Sequence, residues 1–284
     1  MNNIDFQLHC PIKDITTYKT SGFIPAVIYP KNTQQCKEVL KVLQRLNLAY
    51  FVIGNGSNLL INPNTSKVCI SLKKMNSKPT LNGNLITLPA SFPISNIIPI
   101  CKKLNLGGLE KIATIPACVG GLVKNNASFL GQETFDNLQK ITILKDDKIC
   151  HLKKQDIQFS YRKTNIANCI ILSATFALSP STPQEIENSL RTALFHRVEL
   201  QPKGFSCGCV FKNPPGISAG LLIEQCGLKG KTKGGAIISP KHANFIINKQ
   251  NASFDDIKYL IEYCEEEVYS KFGIKLEREV EIIE

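Results

Sequence analysis

Ala49-Tyr50-Phe51-Val52-Ile53-Gly54-Asn55-Gly56-Ser57-Asn58-Leu59-Leu60-Ile61 is the stretch on which the reading of the fold turns. A continuous apolar, β-prone run enters a polar loop with two glycines, and a short apolar run leaves it. The pattern is strand, tight loop, strand. Without a Cβ, the glycines allow positive φ and close backbone approach, so successive N–H groups can turn toward an anion such as a pyrophosphate. The loop is neither a GxGxxG turn opening a helix nor a P-loop, because an apolar strand-like run follows it. Taken alone it fits a plain hairpin turn as well as an anion cradle.

Working outward, Asn32 is an N-cap for a helix over residues 34–47, with Cys36, Val39, Leu40, Leu43 and Leu46 on one face. Short strands are expected at 68–72, 85–88, 141–144 and 169–178, with a helical segment at 94–104. The alternation indicates a mixed α+β or α/β architecture. A composition shift at Ser179-Pro180-Ser181-Thr182-Pro183 marks a boundary, after which 184–199 reads as helix. Ser253 and Asp256 form a capping box for a helix carrying Ile257, Leu260, Ile261, Cys264 and Val268 and ending before Gly273. The tail alternates, with Leu276, Val280 and Ile282 on one strand face and Glu277, Glu279 and Glu281 on the other.

At 284 residues the chain can bury a sizeable core and divides into two or three domains. Its eleven cysteines are odd in number and contain no repeated CxxC pair, which speaks against a disulfide framework or a zinc cluster and for a reducing cytosol. The beginning, Met1-Asn2-Asn3-Ile4-Asp5, has no basic region followed by an apolar run, and no stretch approaches the roughly 18 apolar residues of a membrane helix. A soluble, cytoplasmic protein is expected. The formal charge of +11 suits an anionic partner, but the lysines are spread without basic-aromatic clusters, so no nucleic-acid partner is expected.

Three further segments carry chemistry. Ser206-Cys207-Gly208-Cys209-Val210-Phe211-Lys212-Asn213-Pro214-Pro215 sets a thiol, an ammonium and an amide between glycine and proline breaks. Cys209 could serve there as proton donor or nucleophile, Lys212 as a point charge for phosphate and Asn213 as a two-way hydrogen bonder; a turn followed by a buried Cys and Phe is the plainer reading. Ile112-Ala113-Thr114-Ile115-Pro116-Ala117-Cys118-Val119-Gly120-Gly121, leading to Asn125-Asn126-Ala127-Ser128, is a second glycine-rich segment. Two such segments suggest an extended dinucleotide held by backbone amides. Phe159-Ser160-Tyr161-Arg162 presents a guanidinium beside a phenol, suited to a carboxylate or to charge developing on one.

In this order the segments resemble the UDP-N-acetylenolpyruvoylglucosamine reductase family, with Lys241-His242-Ala243-Asn244-Phe245-Ile246-Ile247-Asn248 and Glu279-Val280 completing the pattern from about Thr17 to Ile283. The resemblance implies an α+β fold: an FAD-binding domain of the vanillyl-alcohol-oxidase type in two subdomains, 1–72 and 73–179, and a substrate-binding C-terminal α+β domain, 180–284. It implies FAD as cofactor, NADPH as hydride donor and a UDP-sugar enolpyruvyl ether as substrate. In such enzymes flavin delivers hydride to the enolpyruvyl methylene carbon, and a protein acid protonates the neighbouring carbon.

By resemblance, Cys209 stands where most relatives have the proton-donating serine, and Arg162 and Glu279 stabilise the intermediate. The residues expected to hold FAD are Ile53, Gly54, Asn55, Gly56, Ser57, Asn58, Ile115, Pro116, Gly120, Gly121 and Asn126. Tyr161, Lys212 and Asn213 are expected at the substrate, no metal is expected, and His242 is left between a loop-fixing and a functional role. The Ser-x-Gly form at Ser206 assigns the chain to the shorter class without the extra tyrosine-bearing loop. Oligomeric state stays open, a monomer being compatible.

Ser21, Thr114, Ala117 and Ser128 replace glycines of the family pattern. Where such a glycine has φ > 0, replacement costs on the order of 1 kcal/mol, so weakened flavin contacts are an expectation. Two rivals follow: a flavoprotein of the same superfamily with another substrate, against which the 206–215 loop and Arg162 argue, and a basic binding protein that has lost flavin.

Overall fold

The computed structural model describes residues 4–284; Met1-Asn2-Asn3, part of the N-terminal reading, lie outside the described residues. The chain forms two compact units. The first comprises Val27–Asn55 and Val68–Arg197 with the residues up to Phe6, and the second Gln7–Ala26, Gly56–Lys67 and Val198–Glu284. This division by contacts is a different cut from the segments 1–72, 73–179 and 180–284: helix Pro183–Leu200 runs through its boundary, and two early segments group with the C-terminal one.

In the first unit, strand Val68–Ser71 lies parallel to Tyr50–Ile53, with Phe51 opposite Cys69, and parallel to Phe23–Tyr29, with Val27 opposite Cys69. All four residues of Val68–Ser71 are buried, as a central parallel strand requires. Helix Thr33–Arg45 is capped by Asn32, whose Oδ1 accepts from the Gln35 N–H at 2.9 Å, and it buries Cys36, Val39 and Leu43. Leu46, expected on that face, is 56% exposed because the helix ends at Arg45. A five-stranded antiparallel sheet follows, ordered Lys148–Lys153, Leu138–Lys145, Ile170–Ala177, Leu85–Pro89, Thr80–Asn82. The segment expected as one helix at 94–104 is a 3-10 turn, Ile94–Asn96, and an α-helix, Ile97–Leu104, closed by Asn105 at φ 53°. Pro99 explains the late start, since proline is tolerated only in a first helical turn.

In the second unit, antiparallel strands Thr232–Lys233, Ala236–Ile238 and Ile246–Asn248 pack with helix Phe254–Phe272. That helix begins with the expected capping box, both Ser253 and Asp256 bonds being made, and ends at Gly273 in the left-handed region. Ile257, Leu260, Ile261, Cys264 and Val268 are buried as the stripe requires. The expected alternation of the tail fails. Only Glu281–Ile283 is strand, paired in parallel with Leu59–Ile61, and Ile283 rather than Ile282 is the buried residue after Val280. An isolated bridge between Phe211 and Arg278 occupies the segment before it, so the backbone changes partner and the two-residue period is lost.

Candidate functional site

The first unit brings the two glycine-rich segments together. Asn55 is the link: its Nδ2 donates to the Pro116 carbonyl at 3.3 Å, and the Cys118 thiol donates to its Oδ1 at 2.9 Å. Burial raises the Cys118 thiol above its ordinary range, which keeps the proton on sulfur for that bond. Ile53 is buried before the loop, while Ile115 is half-buried and Pro116 exposed. Gly120 donates its N–H to the Ala90 carbonyl at 2.8 Å, and a Cβ there would lie 3.1 Å from the Ala90 Cβ. A Cβ at Gly121 would meet nothing within 4 Å, so this glycine borders open space.

None of the four residues replacing family glycines carries positive φ; Ser21, Thr114, Ala117 and Ser128 all lie outside the left-handed region. The strain expected of them is therefore absent. Thr114 closes the 3-10 turn Ile112–Thr114, its hydroxyl donating to the Lys111 carbonyl at 2.7 Å.

Helix Val119–Lys124 starts at this segment and leads into Asn126, which is fully buried at φ 41°. The Asn126 Nδ2 donates to Glu133 Oε2 at 2.7 Å and to the Ser160 carbonyl at 3.1 Å, while its Oδ1 accepts from the Phe135 N–H at 3.2 Å. Ser160 belongs to a two-residue hairpin in which Phe159–Ser160 pairs with Lys163–Thr164 and Tyr161 and Arg162 form the turn. Arg162 sits at φ 54°, a conformation costing a non-glycine residue about 1–2 kcal/mol. Its guanidinium carbon lies 5.5 Å from the centroid of the Tyr161 ring, so the expected pairing of cation and phenol is present.

In the second unit, Gly56 has φ 63°, its carbonyl accepts from the Thr17 N–H at 3.1 Å, and a Cβ on it would lie 2.0 Å from the Ile15 carbonyl oxygen. Only glycine fits. The N–H groups of Gly54, Asn55, Ser57 and Asn58 enter no backbone hydrogen bond of a turn, loop or cap among the described residues, as an anion-binding loop requires. Backbone of this kind suits a phosphate anion.

The loop continues into the C-terminal chemistry. The Asn58 Nδ2 donates to the Glu279 carbonyl at 2.9 Å, and the Glu281 N–H donates to the Asn58 carbonyl at 3.0 Å. The Glu279 N–H donates in turn to the Val210 carbonyl at 2.7 Å, which places Glu279 beside the segment that carries Cys209. Cys209 is half-buried. Cys207, two residues before it, is buried, donates to the Leu59 carbonyl at 3.2 Å and has its pKa pushed up to about 12 by burial. The plain reading of a packed thiol thus holds for Cys207.

Lys212 pairs with Glu277 at 2.6 Å, although the Glu277 side chain stays largely exposed. Asn213 is exposed, and its Oδ1 accepts from the Ala219 N–H at 3.1 Å at the start of helix Ala219–Gln225. His242 fixes a loop: its Nδ1 accepts from the Asn244 N–H at 3.3 Å, its ring lies edge-on to Phe245, and burial lowers its pKa. Tyr161 and Arg162 belong to the first unit, and Cys209, Lys212, Asn213 and Glu279 to the second.

Three residues given no role from sequence also shape these segments. Asn244 grips both sides of Phe211, accepting its N–H at 2.9 Å and donating to its carbonyl at 2.8 Å. The signal was an asparagine inside the apolar run Ala243–Ile247, where a buried amide needs backbone partners. Thr17 and Cys118, which hold Gly56 and Asn55, carried no such signal.

Residues 24–151 match the FAD binding domain family, and residues 201–283 match the UDP-N-acetylenolpyruvoylglucosamine reductase C-terminal domain family. The chain is 36% identical to UDP-N-acetylenolpyruvoylglucosamine reductase of Caldicellulosiruptor saccharolyticus, over 99% of this chain and 93% of the relative. It is likewise 36% identical to that of Clostridium botulinum strain Okra, over 96% of this chain and 90% of the relative. The crystal structure of UDP-N-acetylenolpyruvylglucosamine reductase from Thermus caldophilus superimposes with a TM-score of 0.85 at 30% identity, covering 99% of both chains. Cholesterol oxidase from Brevibacterium sterolicum shares the fold alone, with a TM-score of 0.52 at 16% identity over 63% of this chain and 38% of that one. The architecture is thus an FAD-binding domain of the vanillyl-alcohol-oxidase type followed by a reductase C-terminal domain. With two family matches, full-length relatives and a full-length structural counterpart in agreement, the chain belongs to the UDP-N-acetylenolpyruvoylglucosamine reductase family.

Proposed function

We propose that this protein is the FAD-dependent enzyme that uses NADPH to reduce UDP-N-acetylglucosamine enolpyruvate to UDP-N-acetylmuramate, a precursor step of bacterial peptidoglycan. The observation that carries the reading is the hydrogen-bonded run from Asn58 through Glu279 to Val210, which joins the end of the glycine loop, the last strand and the segment of Cys209 within one unit. FAD, when bound, supplies hydride transfer from NADPH to the enolpyruvyl carbon–carbon double bond. Ile53, the loop of Gly54, Asn55, Gly56, Ser57 and Asn58 and the segment of Ile115, Pro116, Gly120 and Gly121 would hold it, the glycines through backbone groups.

The protein's own groups manage the charge and the proton. Hydride addition to the methylene carbon leaves an enolate-like intermediate on a substrate that already bears a carboxylate. Arg162 offsets that second negative charge. Cys209 transfers its thiol proton to the carbon next to the carboxylate, and Glu279 orients the acid or the arginine. Lys212, Asn213 and Tyr161 bind the nucleotide sugar, Lys212 exchanging its contact with Glu277 for one with phosphate. Functionally, 1–72 and 73–179 serve as the two FAD subdomains and 180–284 as the substrate domain. We place the enzyme in the cytoplasm, where cell-wall precursors are made, with consequences for cell shape and division.

Two steps test the activity. Purified protein should carry flavin, and its NADPH consumption should depend strictly on the enolpyruvyl UDP-sugar and yield UDP-N-acetylmuramate. Flavin-free protein, or NADPH oxidation indifferent to that substrate, would overturn the reading.

A further inference from the structure

The turn that carries Arg162 is held from outside at both of its strands. On one side Asn126 donates to the Ser160 carbonyl; on the other the Thr164 hydroxyl donates to the Lys124 carbonyl at 2.7 Å. The Lys124 ammonium then reaches the Ile166 carbonyl just past the hairpin. These bonds end on Lys124 and Asn126, at the close of helix Val119–Lys124, whose first residues belong to the Gly120-Gly121 segment. One six-residue helix therefore runs from a glycine segment expected at the flavin to the hairpin of Arg162.

The hairpin needs such support. Its two residue pairs and the two Gln158–Asn165 bonds across its base, at 3.0 and 3.2 Å, leave a hairpin that is marginal on its own, and the left-handed φ of Arg162 works against the conformation by about 1–2 kcal/mol. Asn126 is equipped to supply it, because all three of its side-chain bonds go to protein, at Glu133, Ser160 and Phe135, and its own φ of 41° suits asparagine. An amide so committed has no remaining donor for a cofactor.

We propose that Asn126 and Thr164 are positioning residues that fasten the Arg162 hairpin to the end of helix Val119–Lys124 and so set the guanidinium in register with the Gly120-Gly121 segment. The proposal rests on the role given to Arg162 in the oxidation of reduced enzyme by substrate. Its scope is this unit alone, and it gives Asn126 a structural role in place of direct contact with flavin.

The test separates the two half-reactions. Each variant holoenzyme is reduced with NADPH, then mixed with the enolpyruvyl UDP-sugar while flavin absorbance is followed. Asn126→Gly, which removes the amide and keeps the left-handed backbone accessible, should retain flavin and NADPH reduction and slow reoxidation by about 10- to 100-fold. Thr164→Val, a milder change should Asn126→Gly fail to fold, should slow the same step by about 3- to 10-fold.

In an Arg162→Ala background neither change should slow reoxidation further, because there is no guanidinium left to position. Full additivity in the double variants, with Arg162→Ala itself slow, overturns the proposal alone. Loss of flavin or slowed NADPH reduction in folded Asn126→Gly overturns it in favour of a cofactor contact. Wild-type reoxidation by Arg162→Ala overturns the role of Arg162 and the proposal with it.

Discussion

The glycine loop at 54–58 and the cysteine loop at 206–213 are both irregular polar segments, yet only the first depends on a residue without a side chain. In the first, hydrogen bonds of Asn55, Gly56 and Asn58 hold the loop in place, and space fixes its centre, where Gly56 is pressed against the Ile15 carbonyl; the part proposed to meet the cofactor is its backbone N–H groups. Hydrogen bonds to Asn244, Glu277 and Glu279 fix the second, leaving the side chain of Cys209 half-buried next to a backbone whose N–H groups are satisfied from Val210 to Lys212. Substitution should therefore damage structure and cofactor retention in the first loop and chemistry in the second.

Gly56→Val is the strongest way to break that contrast. A β-branched residue at φ 63° with a Cβ 2.0 Å from a carbonyl oxygen should cost about 3 kcal/mol or more, seen as a lowered thermal midpoint and lost flavin. A variant that kept both would show the loop to be an ordinary turn. Gly121→Ala sharpens the comparison, since its Cβ meets nothing: stability should hold or rise by up to about 1 kcal/mol. Flavin lost from that variant without loss of stability would place the cofactor at Gly121.

On the other side of the contrast, Glu279→Gln keeps the backbone bond to Val210 and should leave the fold, the flavin and its reduction by NADPH intact. Its kcat should fall by about 100-fold. Wild-type turnover would remove Glu279 from the mechanism. Cys207→Ala has the smallest expected effect, about 1 to 2 kcal/mol of stability from a buried thiol with little change in kcat. A large loss of turnover in folded Cys207→Ala would mean that the two thiols have been assigned the wrong way round.

Local signals proved reliable where one element decides. The Asn32 cap, the capping box of Ser253 and Asp256 and the strands flanking the glycine loop each follow from neighbouring residues, and each forms as the sequence indicates. The failures come from partners distant in the chain. Lys212 and Glu277 are 65 residues apart, and nothing near Glu277 announces its ion pair. The tail loses its alternation because Phe211 and Leu59–Ile61 claim successive stretches of it.

The family motifs gave Arg162 a place at the intermediate and Asn126 one at the flavin, without indicating the backbone of the one or the hydrogen-bond partners of the other. A left-handed arginine cannot be read from Phe-Ser-Tyr-Arg, and an asparagine that binds three protein groups looks in sequence like one that binds a ligand. The glycine replacements misled for the same reason, since the φ values at Ser21, Thr114, Ala117 and Ser128 became known only with the backbone.

The central claim, that the 206–213 loop exists to present one acid, is tested most directly at Cys209. With flavin bound, Cys209→Ala should be reduced by NADPH at the normal rate yet yield almost no UDP-N-acetylmuramate, while Cys209→Ser should keep substantial turnover because a hydroxyl can also donate the proton. Hydride transfer to the methylene carbon can still run back and forth in the alanine variant, so label should wash into that carbon without net product. Near-normal steady-state turnover by flavin-loaded Cys209→Ala would contradict the account.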